Sequence, residues 1–152
     1  MSHTSIASLY KSFRTDNTKE SSGIMKRFGP ITLKLARAGG SNDKYRRVFA
    51  EVFEEYQRMM ELNELPEEKT RELLYTVYAR SIILDWFFYD QETKTDVRGL
   101  YRDDQNNVVL FNEKNVVDLF KNNCHELFLD IRTFVENRES FLFDSVESAA
   151  KN

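Results

Sequence analysis

Two histidines and one cysteine are all the imidazole and thiol chemistry this chain holds. His125 follows Cys124 directly, and a Cys-His pair can act as nucleophile and base. Adjacent residues on a helix point about 100° apart, however, and rarely hydrogen-bond to each other. That favours a structural role for Cys124. Asp85 stands out more, because it interrupts the apolar run Ile82 to Tyr89 beside the single tryptophan, Trp86. A carboxylate buried there either has a raised pKa and proton chemistry or is held by Arg37, Arg80 or another arginine. With no second catalytic group nearby, the ion pair is the expectation, with Trp86 packed on the helix led by Tyr45. Asp103, Asp104, Asn106 and Asn107 resemble a cation loop in composition only, since the glycine and closing glutamate of an EF-hand are missing. Glu51, Glu54 and Glu55 share a helix face, as solvated residues commonly do.

The motifs HExxH, GxSxG, GxxxxGK[ST] and GxGxxG are absent. A single cysteine excludes a disulfide framework and the cysteine-rich zinc sites. No catalytic, metal or cofactor site is expected, and the reading is a binding protein rather than an enzyme. The apolar runs are too short to span a membrane, and residues 1–25 contain no continuous apolar segment. A reducing cytoplasm is the expected compartment.

The elements that must position these residues follow from pattern. The chain has 152 residues, 13% of them aromatic, with only 5 Gly and 2 Pro, which points to one domain with few tight turns. Residues 1–23 are polar and lack a sustained period, so they read as a mobile leader; Ile6, Leu9, Tyr10 and Phe13 nevertheless have helical spacing and could form a short helix on a partner. Residues 31–36 alternate as a half-buried strand does, ended by Gly39-Gly40. Ser41 or Asn42 can cap a helix to about Leu62, on which Tyr45, Val48, Phe49, Val52, Phe53, Tyr56, Met59 and Met60 form one apolar face. Met59 and Met60 suit either core filling or an adaptable binding surface.

A second helix starts at Pro66 and is read through Ile82 to Tyr89, where Phe87 and Phe88 make it apolar all round, as in the centre of a bundle or at an interface. Val97 to Tyr101 and Val108 to Phe111 suggest a small hairpin or extended loop, and two further helices follow from Asn112 and near Cys124. The expected fold is mainly α: about four helices over residues 24–144 with a minor β element, and a flexible tail over 145–152. Residues 1–47 carry a net charge of +7 within a chain of net −3. This leaves open a nucleic-acid-associated regulator using Lys26, Arg27, Lys34, Arg37, Arg46 and Arg47 on phosphates, although those residues lack interleaved aromatics.

Ordered phrases carry the reading further. They are Leu35-Ala36-Arg37-Ala38-Gly39-Gly40-Ser41-Asn42 with Tyr45, then Tyr56-Gln57-Arg58, Val77-Tyr78-Ala79-Arg80 and Ile83-Leu84-Asp85-Trp86. Phe111 to Phe120, Glu126 to Ile131 with Phe128, and Ala149-Ala150-Lys151-Asn152 complete the series. In this order and spacing, over about residues 31–152, the chain resembles the tail assembly chaperones of long-tailed bacteriophages. Residues 90–107 depart from that pattern, and the leader has no counterpart in it.

The resemblance implies a non-enzymatic protein that binds the tape-measure protein and helps recruit tail-tube subunits. It implies residence in the host cytoplasm and absence from the mature virion. A homo-oligomer is compatible with it, while nucleic acid and membrane are not expected partners. It marks Arg37, Gly39, Gly40, Asn42, Tyr78, Asp85, Trp86, Phe111, Phe120 and Phe128 as motif or structural positions. From the residues themselves, Met59, Met60, Phe87 and Phe88 are the candidate partner-binding positions. The family also makes its chaperone in two lengths by ribosomal slippage, for which Ala150-Lys151-Asn152 is a candidate site.

Overall fold

The computed structural model describes residues 4–143. The chain opens with two short helices, α1 (Ile6–Phe13) and α2 (Asn17–Ser22), then a hairpin of β1 (Ile24–Phe28) and β2 (Ile31–Leu35). Helix α3 (Asp43–Phe53) passes through a 3-10 turn (Glu54–Tyr56) into α4 (Gln57–Glu61), and α5 (Glu67–Ser81) follows. The chain returns to the sheet as β3 (Ile83–Asp90) and β4 (Thr95–Arg98). A separate two-stranded ribbon joins β5 (Tyr101–Arg102) to β6 (Val108–Val109). Helices α6 (Glu113–Asn122) and α7 (His125–Glu136) and a 3-10 turn (Arg138–Phe141) complete the described chain.

The main sheet has the order β1-β2-β3-β4, all antiparallel. The fold is therefore α+β, which overturns the mainly α expectation, and the physical reason lies in Ile82 to Tyr89. An apolar run of eight residues has no periodicity to separate a buried helix from a strand. Here α5 ends at Ser81, and from Ile83 the chain is the inner strand β3. Leu33 pairs with Trp86 and Ile31 with Phe88, which sets Trp86, Phe88 and Asp90 on the buried face. Phe87 and Tyr89 point the other way and are half-buried. The run is apolar on both faces of a sheet rather than all round a helix.

Residues 4–22 carry α1 over the helical spacing of Ile6, Leu9, Tyr10 and Phe13, and then α2. Ser5 caps α1 by accepting from the Ser8 N–H at 3.1 Å, and Asp16 caps α2 by accepting from the Thr18 and Lys19 amides at 2.9 and 3.3 Å. The expected hairpin is present in part: Val108–Val109 pairs with Tyr101–Arg102, while Val97 instead pairs with Phe88 of β3. The expected tail 145–152 and the slippage candidate Ala150-Lys151-Asn152 lie outside the described residues.

The core forms where α5, α6 and α7 meet the buried face of the sheet. Leu33, Leu35 and Trp86 pack with Tyr75, Tyr78, Phe120, Phe128, Ile131 and Val135, all at most 2% exposed. A smaller cluster of Val48, Phe53 and Val77 fastens α3 to α5. Aromatic rings fill the centre in edge-on or tilted contacts, Tyr75 to Phe128 at 4.9 Å and Phe120 to Phe128 at 5.5 Å.

Candidate functional site

Cys124 and His125 lie at the start of α7. Cys124 occupies the N-cap position of α7, and the His125 ring turns to Tyr75, with Nδ1 2.6 Å from the phenol oxygen. The same imidazole stacks on Phe128 at 5.9 Å. His125 is thus a partner of Tyr75 and Phe128, and no Cys-His hydrogen bond forms. Asp103 closes a turn by accepting from the Gln105 and Asn107 amides. Glu51, Glu54 and Glu55 are exposed. Among the described residues, no group of three His, Cys, Asp or Glu side chains could hold a metal ion.

Asp85 does meet an arginine and an amide, accepting from Arg98 Nε at 2.8 Å and from the Trp86 N–H at 2.9 Å. The arginine comes from β4 rather than from position 37 or 80, and the Asp85 side chain is mostly buried, with 26% left exposed. Strand geometry explains the difference: Asp85 shares the outward face with Phe87, while Trp86 points inward. Trp86 stands 6.2 Å from Phe120 of α6, and Tyr45 meets Tyr78 instead, edge to face at 6.4 Å. The ring partner of Trp86 is thus on α6, while Tyr45 packs against the same core cluster.

The motif residues gather at a junction and in the core. Arg37 forms an ion pair with Glu20 of α2, whose carboxylate also accepts from the Ser41 hydroxyl at 2.9 Å. Burial raises the Glu20 pKa, but the hydrogen bonds from Arg37 and Ser41 and the guanidinium charge outweigh it, leaving the carboxyl below its ordinary value. Gly40, at φ +55°, lies against that carboxylate, so a Cβ there would run into Glu20 and Arg37. Gly39 also has positive φ. Asn42 sits at the N-cap of α3 without making the cap bond. Its side-chain amide instead donates to the carbonyls of Arg37 at 2.9 Å and Ser81 at 3.2 Å, stitching the loop to the end of α5. Tyr78, Phe120 and Phe128 are core, and Phe111 packs against its edge.

The four candidate partner-binding residues divide. Met59 and Met60 lie on the surface of α4, 37% and 43% exposed, with Leu62 exposed beside them. They do not fill the core. A shallow cavity next to them is lined by Met60, Asn63, Leu65 and Thr70. Phe88 is buried and Phe87 half-buried, both in β3. Among the described residues, the largest group of exposed apolar side chains on one element is on α1, where Ile6, Leu9, Tyr10 and Phe13 are each between 43% and 62% exposed. Their helical spacing was visible in the sequence, but the contribution of Phe143 beside Arg14 was not.

Of the basic residues of the nucleic-acid alternative, Lys26, Arg27 and Lys34 lie on the β1–β2 hairpin, and Arg37 and Arg46 lie beyond it. Arg37 is taken by Glu20, Arg46 by Asp43, and Lys26 lies over the Phe134 ring at 5.4 Å. Among the described residues, no helix is long and apolar enough to cross a membrane.

No curated protein and no solved structure matches the chain. The profile of the YdaY prophage protein family matches residues 40–152, which takes in α3 to α7 and leaves α1, α2 and the first hairpin outside it. That match covers most of the chain and agrees with the phage character of its ordered phrases. The chain belongs to the YdaY prophage protein family.

Proposed function

We propose that this prophage protein is a tail assembly chaperone that binds a helical tape-measure protein and helps bring tail-tube subunits to it. The observation that carries the reading is the exposure of Met59 and Met60 on α4. Methionine is flexible and polarizable, so a surface bearing it accommodates many apolar partner side chains without a fixed fit. An extended helical client needs such tolerance along its length, and individually weak contacts repeated along it add through effective concentration. Weak single contacts also let the chaperone leave as tube subunits arrive. Prophage family membership and the order of the motif phrases support the same reading, with a host-cytoplasmic protein that is absent from the finished particle.

The test is co-expression with the tape-measure protein encoded by the same prophage. The wild-type chain keeps that client in the soluble fraction, and Met59→Ser with Met60→Ser returns most of it to the pellet. Client solubility that is the same with and without this protein overturns the proposal.

A further inference from the structure

Helix α1 is tied to the body by main-chain bonds that leave its apolar side chains free. The Asp16 N–H donates to the Phe141 carbonyl at 2.8 Å, and the Phe143 N–H donates to the Arg14 carbonyl at 2.7 Å. Thr15 and Leu142 form an antiparallel bridge between them, and Lys19 Nζ donates to the Leu142 carbonyl at 3.2 Å. Ile6, Leu9, Tyr10 and Phe13 stay exposed, and no residue of α1 is buried. Contiguous exposed apolar side chains of this kind mark interaction sites.

The strip has a charged border. The Arg14 guanidinium lies 4.2 Å from the Phe143 ring centroid and 5.3 Å from that of Tyr10, and Arg138 lies 4.8 Å from that of Phe13. A guanidinium resting on a ring keeps its N–H donors available at the rim, where a carboxylate can take them bidentately. The α1 sequence itself holds Lys11 and no acidic residue.

From this geometry we infer that the α1 strip docks an amphipathic helix of another protein, with an apolar stripe against Leu9, Tyr10 and Phe13 and carboxylates flanking it toward Arg14 and Arg138. The like charges at its border oppose pairing with a second copy of α1. The i, i+3, i+4, i+7 spacing of Ile6, Leu9, Tyr10 and Phe13 gives α1 one apolar stripe two turns long, against which the apolar stripe of a second helix can pack. The inference rests on the proposed chaperone reading only in taking the client to be helical, and α1 lies outside the residues matched by the family profile.

The experiment uses the full chain and two designed helical peptides with the same leucine stripe, one flanked by glutamates and one by lysines. Fluorescence anisotropy should show the glutamate-flanked peptide binding about tenfold tighter than the lysine-flanked one. Leu9→Ser with Phe13→Ser should weaken it about tenfold, and Arg14→Glu with Arg138→Glu should reverse the preference. Circular dichroism checks that each variant keeps its fold, and the reversed preference is a result that loss of folding cannot produce.

Equal binding of both peptides, no binding of either, or affinity unchanged in the apolar double variant overturns the inference. So does co-sedimentation with anionic phosphatidylserine vesicles in place of peptide binding, or a dimer in sedimentation that the apolar double variant abolishes. Because the peptides are not the tape-measure protein, failure here leaves the co-expression result standing, and the reverse also holds.

Discussion

Glu20 of α2 and Arg37 of the loop after β2 meet in an ion pair whose carboxylate side chain is 1% exposed and whose guanidinium is 19% exposed. Thr15 and Ser41 add hydroxyl donors to the same carboxylate, and the Arg37 N–H donates to the Glu20 carbonyl at 2.9 Å. One acidic residue thus fastens the first two helices to the strand-to-helix junction that the motif Arg37-Ala38-Gly39-Gly40 forms.

Glu20→Gln should destabilise the protein by about 3 kcal/mol, since it leaves a mostly buried guanidinium without its counter-charge. The check is urea denaturation of the variant against wild type. The pH dependence has a definite sign. Because the folded-state pKa is depressed, this contribution is complete above the unfolded carboxyl value and fades as pH falls through the folded one. Denaturation midpoints below pH 5 should therefore fall less steeply in Glu20→Gln than in wild type.

Gly40→Ala should cost more than Gly29→Ala. Both positions have positive φ, +55° and +59°, so each replacement meets backbone strain of about 1 kcal/mol. At Gly29 a Cβ enters open space, whereas at Gly40 it strikes the Glu20 carboxylate and displaces the ion pair. Thermal melts of the two variants side by side test this, and equal losses would show that the carboxylate yields freely.

Asp85→Ala should cost about 1 kcal/mol or less. Its partner Arg98 is 67% exposed, and a pair open to solvent contributes little. A pair in which both partners were buried would make the loss several times larger. Chemical denaturation separates the two values, with Glu20→Gln as the reference for a buried pair.

Phe120→Ala should lose about 3–5 kcal/mol, the usual range for removing a buried phenyl ring. The ring is fully buried, 5.5 Å from Tyr75, 6.2 Å from Trp86 and 5.5 Å from Phe128. Denaturation followed by tryptophan fluorescence reads both the stability and the change around Trp86. A loss under 1 kcal/mol would mean that the neighbouring rings close the cavity.

Several elements were legible in the sequence because their patterns are one-sided. The face of Tyr45, Val48 and Phe49, the proline opening α5 and the Asn112 cap of α6 each gave an element close to its observed place. Asn112 accepts from the Asn115 N–H at 2.9 Å, as a cap should. Ile82 to Tyr89 misled because both faces of β3 carry apolar residues, which removes the alternation that identifies a strand. Strand β1 went unseen for the opposite reason: Met25, Lys26 and Arg27 are all exposed and supply no inward signal. The Gly29-Pro30 pair closing its hairpin was the available cue. At the candidate surfaces, spacing identified the residues of α1 and α4, but only tertiary placement could show which side chains stay uncovered. Glu20 gave no sign of its burial, since its partner lies seventeen positions ahead and is chosen by the fold.

The link between Lys19 and the Leu142 carbonyl spans 123 residues. Closing a loop of that length carries a large entropic penalty and must await synthesis of nearly the whole intervening chain. On the ribosome, therefore, the ties of Arg14, Thr15, Asp16 and Lys19 to residues 141–143 close late, after α5 to α7 have formed, whereas the Glu20–Arg37 pair closes over only seventeen residues. During that interval the apolar strip of α1 is already translated but has no fixed position. The order of synthesis thereby separates the existence of the strip from its presentation, and a helix docked on α1 finds the side wall of Arg138 and Phe143 only on a chain that has finished folding.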